Sequence, residues 1–166
     1  MTAAAPAPRT PGRYSIALVC LGNICRSPMA HVVLEQRLEA AGLADVVRVV
    51  SSGTGDWHVG KPMDERAAAT LTEAGYDATR HRAQQFAPSW LDEHDLVLAM
   101  DRANLADVGG PGERVMLFRA FDPVAPGSEV PDPYYGGPEG FEEVLEMVER
   151  TSDAVVVALQ RLLGRP

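Results

Sequence analysis

The feature that most restricts what this chain can become is a junction near its N-terminus. YSIALV at 14–19 is apolar apart from one serine, and CLGNICRS at 20–27 follows it with no linker. A short apolar run that breaks into glycine and polar residues reads as a buried strand. Pro28 then suits the first turn of a helix, Val32, Val33, Leu34 and Leu38 carry that helix on, and Gly42 closes it. The alternation continues downstream. VVRVV at 46–50 reads as a second strand, 51–63 as a long loop, and 64–74 as a helix with Asp64 near its start and Gly75 after its end. DLVLAM at 95–100 and RVMLF at 114–118 read as a third and a fourth strand, with Asp101 able to cap a short helix between them. A loop rich in Pro, Gly and Asp spans 122–140, and an amphipathic helix from Phe141 closes the chain. Strands alternating with helices predict an α/β fold in one domain: a four-stranded parallel sheet with helices on both faces. Such sheets bind ligands at the carboxyl ends of their strands, which is where CLGNICRS lies. Residues 1–13, rich in Ala and Pro, are expected to form a flexible tail ahead of a domain spanning 14–166.

Composition narrows the partners. The chain has 166 residues, and 23 acidic side chains against 15 Lys and Arg give a formal net charge of −8. That balance argues against nucleic acid and against an anionic membrane surface. An anionic ligand therefore needs a local concentration of positive charge. No apolar run approaches the roughly 18 residues of a membrane span, and MTAAAPAPRTPGR lacks the apolar centre of a secretory signal, so a cytoplasmic protein is expected. The two cysteines, Cys20 and Cys25, are too few for a disulfide scaffold or a four-thiolate zinc site. A chemical role is the better reading for them.

Cys20 and Arg26 are separated by five residues, Leu21, Gly22, Asn23, Ile24 and Cys25, and Ser27 follows. A strand-to-helix loop of this length can curl so that successive backbone N–H groups point inward and cradle a tetrahedral oxyanion. Gly22 and Asn23 tolerate the positive φ that the curl needs. The helix N-terminus adds partial positive charge, and Arg26 can grip two oxygens of the ligand. The same field favours a thiolate, which makes Cys20 an activated nucleophile beside an anion site. The spacing does not fit a Walker-type loop, because no Lys-Ser/Thr pair follows the glycine. A phosphoryl group transferred to sulfur also requires a proton donor for the leaving oxygen. Asp132, in DPYYGG at 132–137, is the best candidate, with Tyr134 and Tyr135 as an aromatic wall for a flat leaving group.

VCLGNICRSPMA at 19–30, with DPYYGG near the C-terminus, resembles the low-molecular-weight protein-tyrosine phosphatase family, and the resemblance extends over 14–163. It implies the sheet described above, Cys20 as nucleophile, Arg26 as phosphate ligand, and Asp132 as general acid and then general base. Backbone N–H groups from Leu21 to Arg26 would line the cradle. It further implies a supporting network of Asn23, Ser27, Ser51 and His81, with Asn23 left-handed and Ser27 bonded to the thiolate. Trp57, in the glycine-flanked loop GDWHVG, would line the substrate cleft. Cys25 would trap an oxidised Cys20 as a disulfide and protect it from further oxidation. No metal or cofactor is expected, since Arg26 and the amides supply the charge stabilisation. The expected partners are phosphotyrosine-containing proteins, acted on by a monomer. His31, His58 and His94 match no catalytic position and are expected in packing or surface roles.

Two rivals are disfavoured on the same residues. A thioredoxin-coupled arsenate reductase on this fold needs two further cysteines downstream, and none follows Cys25. A non-catalytic phosphotyrosine-binding module is expected to have lost Cys20 or Asp132, and both are present. A phosphatase of small phosphate esters remains an alternative substrate class.

Overall fold

Every other strand is laid out around β1, Tyr14–Cys20, in the computed structural model, which describes residues 2–166. Its side chains alternate between two cores. Ile16, Leu18 and Cys20 face one, and Ala17 and Val19 face the other. A strand buried on both faces needs the nearly unbroken apolar run that the sequence has here. β1 pairs in parallel with β2, Val47–Gly53, on one side and with β3, Leu96–Ala99, on the other. β4, Val115–Leu117, adds to β3, so the order is β2-β1-β3-β4 and all pairings are parallel.

The helices α1, Arg26–Ala40, and α5, Pro138–Leu162, cover the Ile16–Leu18 face. Buried Phe141, Val144, Leu145, Val148, Thr151, Ser152, Val155, Val156 and Leu159 recur at three- and four-residue spacing along α5, which is the periodicity of one helix face. α2, Glu65–Glu73, also packs on this layer through Ala67 and Leu71. α3, Trp90–Glu93, and α4, Arg102–Asp107, lie on the opposite face, where Trp90, Leu91 and Val108 meet Ala17, Val19 and Val97. The expected fold class is therefore the one found.

Some boundaries differ from the sequence expectation. β2 runs three residues beyond Val50, because Ser51, Ser52 and Gly53 stay in register with Leu18, Val19 and Cys20. Small polar residues at a sheet end carry no period-2 hydrophobic signal, so they read as loop. The short α3 and the 3-10 helix Phe118–Phe121 were not foreseen, and α5 starts at Pro138 rather than Phe141. Of the segment 1–13, residues 2–8 have no regular secondary structure, residues 9–12 bend and turn, and the segment is tied to the body. Ala3 N–H donates to Ala120 O at 2.9 Å, Tyr14 Oη–H to Pro6 O at 2.9 Å, and Arg9 N–H to Asp95 Oδ1 at 2.6 Å.

The chain leaves β1 toward β2, then returns to the other side of β1 to make β3. The carboxyl ends of β1 and β3 therefore face a crevice at the point where the strand order reverses. Cys20 ends β1, and Asp101 lies just beyond β3.

Candidate active site

The segment from Cys20 to Arg26 curls between β1 and α1. Asn23 is the single non-glycine residue with positive φ, at 55°, among the described residues. This left-handed conformation disfavours L side chains by roughly 1–2 kcal/mol, and Asn tolerates it best when its side chain bonds locally. Here every polar group of Asn23 has a partner. Its Nδ2 donates to Ser27 Oγ at 2.8 Å and to Ser51 Oγ at 3.1 Å, and its Oδ1 accepts from Gln84 N–H at 2.9 Å. Its backbone N–H points at Cys20 Sγ at 3.3 Å, and its carbonyl meets His81 Nε2 at 2.6 Å. A carbonyl oxygen only accepts, so His81 carries its proton on Nε2. Burial, together with His31 and Arg82 nearby, holds His81 below its ordinary pKa, against the upward pull of the Asn23 carbonyl.

The loop also needs space. Gly53 ends β2 beside it, and a Cβ there would sit 2.7 Å from Leu21 O and 2.9 Å from Asn23 N. Any side chain at 53 would displace the loop backbone. Two ladder-like bonds, Thr54 N–H to Cys20 O and Gly55 N–H to Leu21 O, both 2.9 Å, carry the β1–β2 pairing into the loop itself. The backbone N–H groups of Leu21, Gly22, Ile24 and Cys25 have no acceptor among the described residues. They are free donors at the N-terminus of the 15-residue α1.

Cys20 Sγ lies 3.0 Å from Ser27 Oγ. Because Ser27 Oγ already accepts from Asn23 Nδ2, its own proton is left for Cys20 Sγ or for Ser52 O at 3.2 Å. Arg26 is 2% exposed, and its Nη1 donates to Asp101 Oδ2 at 2.6 Å and to Val130 O at 3.1 Å. Burial works against its charge, but Cys20, Asp101 and Asp132 outweigh burial and hold its pKa above the ordinary value. Its Nη2 lies 3.6 Å from Asp132 Oδ2. Burial pushes the Cys25 thiol up strongly, and Asp64, Cys20 and Asp132 add to that, so Cys25 is a neutral thiol.

Cys20, Arg26 and Asp132 line one cleft of about 350 Å³, with Leu21, Gly22, Ile24 and Cys25 in its floor and Trp57, Tyr134 and Tyr135 on its walls. The predicted residues are thus brought together, with Asn23, Ser27, Ser51 and His81 directly behind the floor. Tyr135 projects outward at 93% exposure, so Tyr134 forms the closer wall. Sequence reasoning missed four participants. Asp101 does cap α4, its Oδ1 accepting Asn104 N–H at 2.7 Å, but its other oxygen holds Arg26. Its position just after β3 was the available signal. His58, expected on the surface or in packing, lines the cleft beside Gly22. His31 joins the network through Ser51 Oγ at 3.2 Å, and Gln84 closes it. His94 is buried against Trp90, away from the cleft, as a packing residue.

A cysteine at the foot of a cradle of free amides, with a buried arginine and a carboxylate above it, supplies a nucleophile, anion-binding donors and a proton carrier in one place. The model of the "low molecular weight phosphotyrosine protein phosphatase" family matches residues 15–163, and the chain belongs to that family. A low molecular weight protein-tyrosine-phosphatase of Streptomyces coelicolor is 46% identical over 155 residues, covering 89% of this chain and 94% of that one. Low molecular weight protein-tyrosine phosphatase A of Mycobacterium tuberculosis is 47% identical over 139 residues, covering 81% and 84%. Among solved structures, a protein tyrosine phosphatase from Entamoeba histolytica superposes with a TM-score of 0.84 at 29% identity, covering 89% and 97%.

Proposed function

We propose that the protein hydrolyses phosphotyrosine in proteins through a phosphocysteine intermediate on Cys20. The observation that carries this reading is the convergence of Cys20, Arg26 and Asp132 on one cleft with aromatic walls. In the first step the Cys20 thiolate attacks phosphorus, an S–P bond forms, and the bond from phosphorus to the tyrosyl oxygen breaks. The protonated Asp132 carboxyl gives its proton to that oxygen, and tyrosine leaves. Arg26 and the free loop amides hold the equatorial oxygens, whose charge the transition state spreads. In the second step water attacks phosphorus and passes a proton to the Asp132 carboxylate. The S–P bond breaks, inorganic phosphate leaves, and Ser27 donates a hydrogen bond to the departing thiolate.

Tyr134 and Trp57 supply the flat apolar surface that favours an aryl leaving group over a small sugar phosphate. Cys25 is the partner within the same loop for an oxidised Cys20. A sulfenic acid formed by peroxide on Cys20 condenses with the Cys25 thiol to a disulfide and water, which a thiol reductant reopens. The protein works in the cytoplasm as a monomer. The test is phosphate release from a phosphotyrosine peptide against its phosphoserine counterpart, with chelator present. Strong preference for phosphotyrosine is expected; equal rates on the two would overturn the reading.

A further inference from the structure

The wall that carries Asp132 has few ties to the rest of the molecule. Among the described residues, segment 131–136 accepts one hydrogen bond from outside itself, from Arg66 Nη1 to Tyr134 O at 2.9 Å. Arg66 is the second residue of α2, and it is held from behind. Its Nε reaches Asp64 Oδ1 at 3.2 Å and its Nη2 reaches Asp64 Oδ2 at 3.0 Å, a two-pronged grip. Its guanidinium also lies over the Phe141 ring at 4.8 Å and the Tyr134 ring at 5.2 Å. Asp64 is fixed in turn. It caps α2 by accepting Arg66 N–H at 2.8 Å, and its own N–H donates to Ile24 O, in the floor loop, at 2.9 Å. At the far end, Tyr134 N–H donates to Asp132 Oδ1 at 3.1 Å. An unbroken strut therefore runs from the floor loop through Asp64 and Arg66 to Tyr134 and ends on the acid's own carboxylate.

We propose that Arg66 is a positioning residue for the proton-transfer step, a latch that sets the height of Asp132 above Cys20. The proposal rests on Asp132 being the general acid. A forked guanidinium suits the role because it bonds Asp64 with two nitrogens and still has a third for the Tyr134 carbonyl. Its own side chain is 43% exposed, so a lone ion pair there would do little. What makes it effective is the combination of three bonded nitrogens and two ring faces at one loop whose other external tie is the longer, 3.6 Å ion pair of Arg26 Nη2 with Asp132 Oδ2. The latch acts on chemistry rather than on binding, because Asp132 matters when the leaving oxygen needs a proton.

The experiment measures kcat/KM, which reports the first step, for aryl phosphates whose leaving phenols range from strongly to weakly acidic. Wild type, Arg66→Ala, Arg66→Lys, Asp132→Asn and the double variant Arg66→Ala/Asp132→Asn are compared, with thermal melting alongside. Arg66→Ala is expected to lose about tenfold more on the least acidic phenol than on the most acidic one. The double variant should show the same leaving-group dependence as Asp132→Asn alone, since both changes remove one function. Arg66→Lys should recover only part of the loss and carries the same comparison if the alanine variant does not fold. A steep Asp132→Asn with a uniform loss in Arg66→Ala would overturn the latch and leave the acid in place. Additive losses in the double variant, or full recovery by lysine, would also overturn it. A uniform loss in Asp132→Asn itself would instead refute the acid role, and the latch with it.

Discussion

In the floor of the cleft, Asn23 and Ser27 are fully buried, and each polar group of Asn23 is bonded within the protein. In the wall opposite, the Asp132 side chain is 39% exposed, and segment 131–136 takes one hydrogen bond from outside. The difference follows from what each part does. The floor must present fixed dipoles to a phosphoryl group whose charge shifts during reaction, and preorganised dipoles work by not moving. The wall must admit a protein-borne side chain, close on it, give up a proton, and release it, which few ties permit. Changes in the side chains that brace the floor should therefore cost stability and activity together, and changes in the nucleophile or in the wall should cost activity alone.

The largest loss belongs to the nucleophile. Cys20→Ser should lower turnover by at least about 10⁴-fold, because a neutral hydroxyl at that point lacks the thiolate's nucleophilicity. The fold should survive, with melting close to that of wild type, since the oxygen keeps its place beside Ser27. Substantial activity in pure Cys20→Ser protein would break the comparison at its root. Asp132→Asn comes next, with a loss of roughly 10²–10⁴-fold on phenyl phosphate. Its melting temperature should stay within the error of wild type. A clear drop in stability would show that the wall is built into the fold as firmly as the floor.

Asn23 sharpens the comparison from the other side. Asn23→Ala places a Cβ in the left-handed region without the local bonds and strips Ser27, Ser51 and the Gln84 amide of a partner. The cost should be about 3 kcal/mol by chemical denaturation, from backbone strain together with unpaired buried groups. Turnover should fall by roughly tenfold to 100-fold as the cradle loosens. Asn23→Gly removes the same bonds but permits the backbone, so its stability loss should be smaller while its turnover falls as far. Equal stability losses for the two would mean that the side-chain bonds, not the conformation, carry the cost.

What could be read in the sequence divides along the same line. The floor is nearly continuous in the chain, with Cys20, Asn23, Arg26 and Ser27 within eight residues, so the Cys20–Arg26 spacing in its context points to the cradle and the family resemblance adds the roles of Asn23 and Ser27. The strand before it and Pro28 after it state its context. The wall was readable only as Asp132 and its tyrosines, because what holds it lies on α2. Asp64 and Arg66 look like an ordinary helix start until the fold brings Tyr134 against them. Asp101 was half visible for a related reason. One carboxylate serves two bonds, and the local one, to Asn104, accounts for the residue without the distant one. Glu149 repeats the lesson outside the site. On sequence it belongs to the polar side of α5, with Glu142, Glu143 and Glu146, yet it accepts Tyr76 Oη–H at 2.6 Å and pairs with Arg37. Sequence periodicity marks which face of an element is apolar, but it does not say which polar residue at the edge finds a partner across the fold.

The smallest expected effect concerns how the floor responds to acid. His81 donates through Nε2 to the Asn23 carbonyl, and burial, with His31 and Arg82 beside it, keeps its folded-state pKa below the ordinary value. In the unfolded chain the imidazole titrates near its ordinary value of about 6.5. As pH falls, the unfolded state therefore takes up this proton first. Stability from His81 is complete above both values and drains away as pH drops from about 6.5 toward the folded value. Asp64 and Asp122 behave as carboxylates held below their ordinary range, so their contributions are lost only at more acid pH and leave this window to His81 and His94. Glutamine at 81 can still donate an N–H to the Asn23 carbonyl but does not titrate. His81→Gln should thus keep much of the activity at neutral pH and show a shallower fall in urea midpoint between pH 7 and pH 5 than wild type. An identical pH slope in the two proteins would remove His81 from the acid response and place it on His94, which burial also holds below its ordinary value, while the bond to Asn23 would stand as a purely geometric brace.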